Sequence, residues 1–319
     1  MTEALIHVRD LSTWFPIRRG VFARVAGHVQ AVSGVNLAVR RGETLALVGE
    51  SGCGKTTLGR TMVGLEKPMS GSVFYLGQDM APMTDEELRK VRRDVQFVFQ
   101  DPQSALNPRM TVLDLVTEGL VAHGLLEGSK EEAAALLLAD VGMDESAFHR
   151  YPFEFSGGQR QRICIARALA LRPSLLICDE PVSSLDVSVQ AQVINLLQEL
   201  KGKYGLSYLF ISHDLGVVRF LADRVAVMYL GRIVEEGPTE QVMDQPLHPY
   251  TQALLSAVPA LGEERKSRIV LAGDVPSPAR PPPGCPFHTR CPEVMPQCAT
   301  VAPALRDIQG REVSCHLYP

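Results

Sequence analysis

Residues 49–56 read GESGCGKT, residues 155–159 read FSGGQ, and residues 175–181 read LLICDEP. The first string fits the P-loop pattern, in which Gly49, Gly52 and Gly54 let the backbone turn so that successive N–H groups face the β-phosphate of a nucleoside triphosphate. Lys55 adds a point charge for the β- and γ-phosphates, and the Thr56 hydroxyl can ligate Mg²⁺. In the third string Asp179 is placed to hold Mg²⁺ through water, and Glu180 to polarise the attacking water, a role typically worth roughly 10² to 10⁴ in rate. A P-loop alone says only nucleoside triphosphatase, because many chemistries share that cradle. An isolated Asp–Glu pair reads better as a solvated helix cap. Together and in this order the strings point to triphosphate hydrolysis.

Such residues need a particular scaffold. The apolar run 44–48 is expected to be a buried strand feeding the Gly-rich turn, with a helix after Lys55. Leu175, Leu176, Ile177 and Cys178 read as a parallel strand covered on both faces, which puts Asp179 and Glu180 at its carboxyl end, where open α/β sheets gather ligands. Residues 208–211 read as another strand. Between 5 and 48 the pattern is strand-like (Ile6, Val8, Leu11; Val35, Leu37, Val39), broken by a basic segment at 18–27 expected to form an exposed hairpin loop. Helical patterns dominate from 102 to 155, as in Lys130 to Val141. Ile163, Ala166 and Leu169 mark a helix returning to the sheet, and Val189, Val193, Leu196, Leu197 and Leu200 keep helical spacing as core packing. Residues 224–236 read as a closing hairpin with Gly231 at its turn.

With 319 residues and 45% hydrophobic content, the chain can bury one large core plus a small second unit. A net charge of −4 gives no basic footprint, which argues against a nucleic-acid partner. No run of 18 or more apolar residues occurs, and MTEALIHVRD has neither a basic n-region nor an apolar h-region. The expectation is a chain that neither spans a membrane nor is exported, and that acts at a membrane only through a partner.

Four further matches complete a family pattern: Gln100 in VFQDP, Ser156-Gly157-Gly158-Gln159, Ser184-Leu185-Asp186, and His213 in FISHD. Read together they resemble the nucleotide-binding subunit of an ATP-binding-cassette (ABC) transporter. The resemblance implies that Gln100 senses the γ-phosphate through Mg²⁺ where the ATPase meets its membrane partner. It implies that Ser156, Gly157, Gly158 and Gln159 present N–H groups to ATP held by the opposite subunit. Asp186 would then lie across the dimer seam, His213 would contact the γ-phosphate and orient Glu180, and Ser51 and Thr57 would join the phosphate-binding set. Phe15 in TWFP, ahead of Trp14, would stack on adenine; either aromatic could instead fill the outer face of the sheet. The implied fold is α/β: a P-loop ABC-type ATPase core over 1–240, of mixed sheet with an antiparallel β subdomain, a helical subdomain at about 102–165, and a small Cys-containing C-terminal module over 241–319.

Beyond residue 240, QPLHPYTQALLSAVP and GDVPSPARPPPGC resemble the C-terminal extension of the ATPases that drive dipeptide and oligopeptide importers. Without that resemblance the stretch reads as a helix and a stiff proline linker. Of seven cysteines, Cys53, Cys164 and Cys178 fall where a small apolar side chain suffices. Cys285, Cys291, Cys298 and Cys315 are spaced C-x5-C-x6-C-x16-C in a Pro-rich stretch with little core of its own, and metal ligation leads over disulfides for a cytosolic chain. The resemblance ranks a 4Fe-4S cluster first, structural Zn²⁺ second and free thiols third, with His288 or His316 able to replace a ligand. It further implies an ATPase coupled to peptide import, peripheral on the cytoplasmic face of the inner membrane. Its partners would be a second ABC ATPase subunit, a related chain ranking ahead of a second copy, two permease subunits and, through them, an extracytoplasmic solute-binding protein. A nickel or other small-solute importer is the alternative, ahead of a soluble ABC ATPase outside transport. The stretch 100–125, with Leu106, Met110 and Val112, is expected to meet the permease, or else to pack within the helical subdomain.

Overall fold

The computed structural model describes residues 4–20, 24–257 and 269–318. The tip of the loop expected over 18–27, residues 21–23, lies outside the described residues, as does the start of the chain. Two compact units emerge, one of residues 40–43 and 83–211, the other of residues 4–39, 44–82 and 212–318.

The first unit is built on parallel strands. Leu175–Asp179 pairs with Val95–Val98 on one side and with Ser207–Ser212 on the other, and all five of its residues are buried. Burial on both faces is why the run reads as continuously apolar rather than alternating. Helices Val112–Ala122, Lys130–Asp140, Gly157–Leu169 and Val187–Tyr204 belong to the same unit. Each begins on a side chain that caps it, Thr111, Ser129, Ser156 and Asp186 in turn, satisfying N–H groups that the first helical turn leaves orphaned. Ser129 and Ser156 form full capping boxes with Glu132 and Gln159. In Val187–Tyr204, Val193, Leu196, Leu197 and Leu200 are buried as expected, whereas Val189 is only half-buried, one turn into the helix.

The second unit carries a four-stranded sheet in which the long strands Arg24–Arg40 and Ala4–Arg19 lie side by side, followed by Ser70–Tyr75 and Gln78–Asp79. Ile6, Val8 and Leu11 are all buried although 8 to 11 breaks the two-residue period. The register against Ser70–Tyr75 shifts between Arg9 and Ser12, where Asp10 adopts φ 45°, and this bulge turns Leu11 back to the core. A second set of strands starts with Thr44–Val48, parallel to Arg224–Tyr229, which continues antiparallel to Arg232–Pro238. The hairpin turn forms at Leu230 and Gly231, both at positive φ (44° and 80°), as a tight two-residue turn requires. Arg311–Val313 pairs with Arg232–Pro238, and Arg306–Ile308 pairs with Arg311–Val313. The end of the chain therefore extends the sheet that carries the P-loop strand.

Candidate nucleotide site

In the second unit, Thr44–Val48 is wholly buried and delivers the chain into the Gly-rich turn. Gly49 (φ 154°) and Gly54 (φ 109°) are demanded by close approach: a Cβ on Gly49 would overlap the Met228 carbonyl, and one on Gly54 the Ala31 carbonyl. The helix Lys55–Met62 starts on Gly54 with no side-chain cap and no acidic residue in its first turn, so the partial positive charge of its N-terminus is not offset locally. Lys55 is 5% exposed, and its Nζ donates to the carbonyls of Gly49 (2.8 Å) and Glu50 (3.1 Å). Ser51 and Gly52 are exposed, and Thr56 and Thr57 are half-buried on the first helical turn. The backbone N–H of Gly231 donates to the Cys53 carbonyl, so the closing hairpin braces the loop from below.

Glu50 is held by residues of the C-terminal extension. Its N–H donates to Tyr250 Oη (2.9 Å), and its carboxylate receives both terminal nitrogens of Arg290 (2.8 and 3.2 Å). That doubly hydrogen-bonded carboxylate pushes the Arg290 guanidinium further above its already high range. Tyr250, Tyr229, Phe287 and His248 meet tilted or edge to face with ring centroids 4.7 to 5.7 Å apart. His248 caps the helix Pro249–Ser256 by accepting the Tyr250 N–H on Nδ1, and burial pulls its pKa down to about 3. The Glu235 carboxylate accepts the N–H groups of Leu247 and His248, and burial raises its pKa. Glu50 lies inside the P-loop string, and His248 and Tyr250 inside QPLHPYTQALLSAVP, but none of these, nor Arg290 and Glu235, has a role assigned from the sequence. The available signals were an acidic residue inside a phosphate loop and aromatic residues in a Pro-rich stretch that lacked an obvious core.

His213, at the end of Ser207–Ser212, is exposed, and Asp214 beside it caps the helix Leu215–Leu221. Trp14 is tied down, its indole N–H donating to Ser33 Oγ (3.1 Å), whereas Phe15 is 36% exposed. That leaves Phe15 as the aromatic with a face to offer.

In the first unit, Asp179 is 1% exposed at the end of its strand, and Glu180 follows at φ 46°, a left-handed conformation that side chains other than glycine and asparagine resist. Its backbone is held there by Glu180 N–H to the Ile211 carbonyl (3.0 Å) and by the N–H and Oγ of Ser183 to the Glu180 carbonyl (3.2 and 3.1 Å). Gln100 Nε2 donates to Glu180 Oε2 (3.1 Å), so these two predicted residues do meet. Ser156 and Gln159 cap their own helix reciprocally (3.0 and 3.3 Å). A Cβ on Gly157 would press on Leu185 Cδ2 (3.3 Å), and one on Gly158 would overlap Val189, so the half-buried Val189 packs on the glycine turn. Asp186 Oδ1 accepts the Val189 N–H (3.0 Å) and the Ser188 hydroxyl (2.7 Å), a capping duty that its motif reading did not include. Leu106 and Val112 are buried and only Met110 is half-exposed, so the first two pack inside the unit and do not line an open groove.

Cys53, Cys164 and Cys178 are buried thiols, with burial raising each pKa, that of Cys164 to about 11. Cys285 and Cys298 are buried, and Cys291 and Cys315 half-buried. Burial pushes Cys285 up to about 11 and raises Cys291 and Cys315, with smaller contributions from the other cysteines of the set. Yet among the described residues no group of three or more His, Cys, Asp or Glu stands in a metal-holding arrangement, which corrects the expectation of a ready-made cluster site. His288 Nδ1 and His316 Nε2 each lie 2.8 Å from a backbone carbonyl, of Cys285 and Val301 respectively. Among the described residues no helix is long and apolar enough to cross a membrane.

The family model described as ABC transporter matches residues 32–183, and that described as oligopeptide/dipeptide transporter, C-terminal region, matches residues 234–298. The chain is 52% identical to the oligopeptide transport ATP-binding protein AppF of Bacillus subtilis, over 99% of this chain and 98% of that protein. It is 48% identical to the dipeptide transport ATP-binding protein DppF of Escherichia coli, covering 99% and 95% respectively. Among solved structures, CbiO1 of Clostridium perfringens, part of the ABC transporter complex CbiONQ, superposes with a TM-score of 0.65 at 28% identity, covering 76% of this chain and 92% of that one. A dimeric post-hydrolysis state of the ATP-binding cassette MJ0796, bound to ADP and Pi, superposes with a TM-score of 0.64 at 28% identity, covering 73% and 98%.

Proposed function

The chain belongs to the ABC transporter family, among the ATP-binding proteins of oligopeptide and dipeptide transport, and from that premise we propose that it hydrolyses ATP to drive peptide import through permease subunits. The observation that carries the hydrolytic reading is the carboxylate of Glu180, set at the end of a buried strand in a left-handed conformation and hydrogen-bonded by Gln100. The same backbone at Asp10 only makes a bulge, so it is the strand end beside Asp179 and the Gln100 hydrogen bond that single Glu180 out. The peptide reading is supported by similarity through residues 234–298 and by the names of the full-length relatives.

Gly49, Ser51, Gly52 and Gly54 give the phosphate turn, and Lys55 and Thr57 add the cation and a further donor. Thr56, Asp179 and Gln100 would hold Mg²⁺, which neutralises the charge developing on the phosphates. The fit is supported by Gly49 and Gly54, whose missing side chains let the loop pass against the Met228 and Ala31 carbonyls in the turn a phosphate loop needs. Glu180 takes the proton of the attacking water, His213 orients it, and Phe15 stacks on the base. Ser156, Gly157, Gly158, Gln159 and Asp186 act on the nucleotide of a paired, related ATPase subunit. The chain works peripherally on the cytoplasmic face of the membrane, and an extracytoplasmic binding protein delivers the peptide to the permease. For the tail, the family resemblance alone puts an iron–sulfur cluster on Cys285, Cys291, Cys298 and Cys315 ahead of Zn²⁺, and the lack of a ready ligand arrangement weighs against both. Anaerobic purification decides: brown protein with iron supports the cluster, one bound zinc replaces it, and four alkylatable thiols remove it.

Glu180→Gln tests the main reading. The amide keeps the shape but cannot accept a proton, so hydrolysis in the assembled transporter should fall by roughly 10² or more while ATP stays bound. Wild-type turnover by that variant would overturn the assignment, and peptide uptake should fall with it.

A further inference from the structure

We propose that Arg290, with Tyr250, is a positioning residue of the ATP site, acting through Glu50. This deepens the reading of residues 49–57 as a nucleotide loop and rests on it. Glu50 is an acidic side chain inside a loop that must receive a polyanion, and an uncompensated carboxylate there repels phosphate. Arg290 supplies the compensation. Its guanidinium is 8% exposed and meets the 28%-exposed Glu50 carboxylate through two hydrogen bonds, a geometry that fixes direction as well as charge.

The pair could have been only a tether. What distinguishes it is that every polar backbone group of Glu50 is engaged as well. Its N–H goes to Tyr250 Oη, and its carbonyl receives Lys55 Nζ, the cation of the loop. Glu50 therefore joins the phosphate-binding lysine on one side to Arg290 and Tyr250 on the other. These two are rigid supports. Tyr250 is fully buried in the helix Pro249–Ser256, and Phe287, also fully buried three residues before Arg290, packs on Tyr229 and Tyr250. The backbone around Arg290 is fixed too: Arg290 N–H donates to the Phe287 carbonyl, and Cys285 N–H to the Cys298 carbonyl. The C-terminal extension is thus a working part of the nucleotide site.

The test measures affinity of the full-length chain for a fluorescent ATP analogue, together with the Tm of nucleotide-free protein. Arg290→Gln, which exposes the bare Glu50 carboxylate, should raise Kd about ten-fold. Adding Glu50→Gln removes the repulsion, so the double variant should recover to within about three-fold of wild type. The deficit of Arg290→Gln should also shrink at high salt, because like-charge repulsion is screened. Tyr250→Phe, which removes only the acceptor for the Glu50 N–H, should raise Kd about three-fold and decides the matter if Arg290→Gln does not fold. In the assembled transporter the same variants should raise KM for ATP and leave kcat within about two-fold.

A double variant that binds no better than Arg290→Gln overturns the proposal. So does an Arg290→Gln affinity within about two-fold of wild type, or a loss that follows Tm and vanishes on cooling. Lys55→Ala separates the two levels: it must abolish binding if residues 49–57 hold nucleotide at all. With Lys55→Ala inactive and Arg290→Gln silent, the nucleotide site stands and the positioning role falls.

Discussion

The P-loop and the segment Ser156-Gly157-Gly158-Gln159, called the signature below, are both glycine-rich turns that open a helix, yet the two are finished in opposite ways. The helix after the P-loop begins on Gly54 without a side-chain cap, and its loop is held from outside by Gly231, Tyr250 and Arg290. The helix of the signature begins on Ser156 and closes on itself through the Ser156–Gln159 capping box. Their glycines differ in the same sense. Gly49 and Gly54 are required because neighbouring backbone carbonyls stand where a Cβ would go, whereas Gly157 and Gly158 are required because the side chains of Leu185 and Val189 stand there. A loop that must surround a ligand leaves its donors unfinished and is supported by distant chain. The signature turn, proposed to meet another subunit, is completed within its own helix, so that its shape does not depend on what it meets.

The contrast can be broken most directly at Gly54. Gly54→Ala forces the loop off the Ala31 carbonyl and should reduce ATP affinity more than about 100-fold, whereas Gly52→Ala, with nothing within 4 Å of its Cβ, should cost only the roughly 1–2 kcal/mol of its left-handed backbone. Equal losses in a binding titration would show that backbone approach does not distinguish the two glycines. At the signature, Gly158→Ala should lower unfolding free energy by about 1–3 kcal/mol through overpacking, and Val189→Ala in the same chain should restore part of it. Failure of the second change to compensate in urea unfolding would mean that Val189 is not what the glycine serves.

Acid should sharpen the difference. The extension that steadies the P-loop rests on His248, whose pKa falls from 6.5 to about 3 in the fold. Between those values the unfolded chain takes a proton that the folded chain refuses, so stability declines as pH falls, by up to about 1.4 kcal/mol per pH unit. Glu235, raised by burial, contributes with the opposite sign, since its buried protonated form is favoured as pH falls. His248→Asn keeps an acceptor for the Tyr250 N–H and should flatten the decline, measured as urea midpoints at pH 7 and pH 5. The smallest effect belongs to Ser156→Ala, which removes one side of the capping box and should cost about 1 kcal/mol in unfolding free energy. An unchanged midpoint would mean that the signature turn does not depend on its own cap.

Short-range patterns carried most of this site into view. The P-loop, the strand ending in Asp179 and the hairpin at Gly231 are local: their glycine spacing, apolar runs and turn residues are determined within about ten residues, and the structure has them where the spacing puts them. The slipped period at Leu11 was not legible, because a bulge at Asp10 inserts one residue without any glycine or proline to announce it. The burial of Leu106 and Val112 depends on how helices pack, which apolarity alone does not specify. The Glu50–Arg290 pair joins residues 240 positions apart, and nothing local in either string records the other. Without the family resemblance the tail reads as a linker because its core is borrowed: Phe287 packs on Tyr229 and Tyr250, and Arg311–Val313 pairs with the closing hairpin.

The left-handed backbone at residue 180 has an evolutionary corollary. Glycine and asparagine occupy that conformation more readily than glutamate, which bears about 1–2 kcal/mol of strain there. With Glu180 as the proposed base, the fold on its own favours a residue that would end hydrolysis, and selection for turnover is what would retain the carboxylate. Where that selection relaxes, for instance in a duplicated copy that merely needs to bind ATP, drift at this position runs downhill toward a sturdier, silent protein. The first sign of such a lineage would be Asn or Gly at position 180, in a chain that has become harder to unfold.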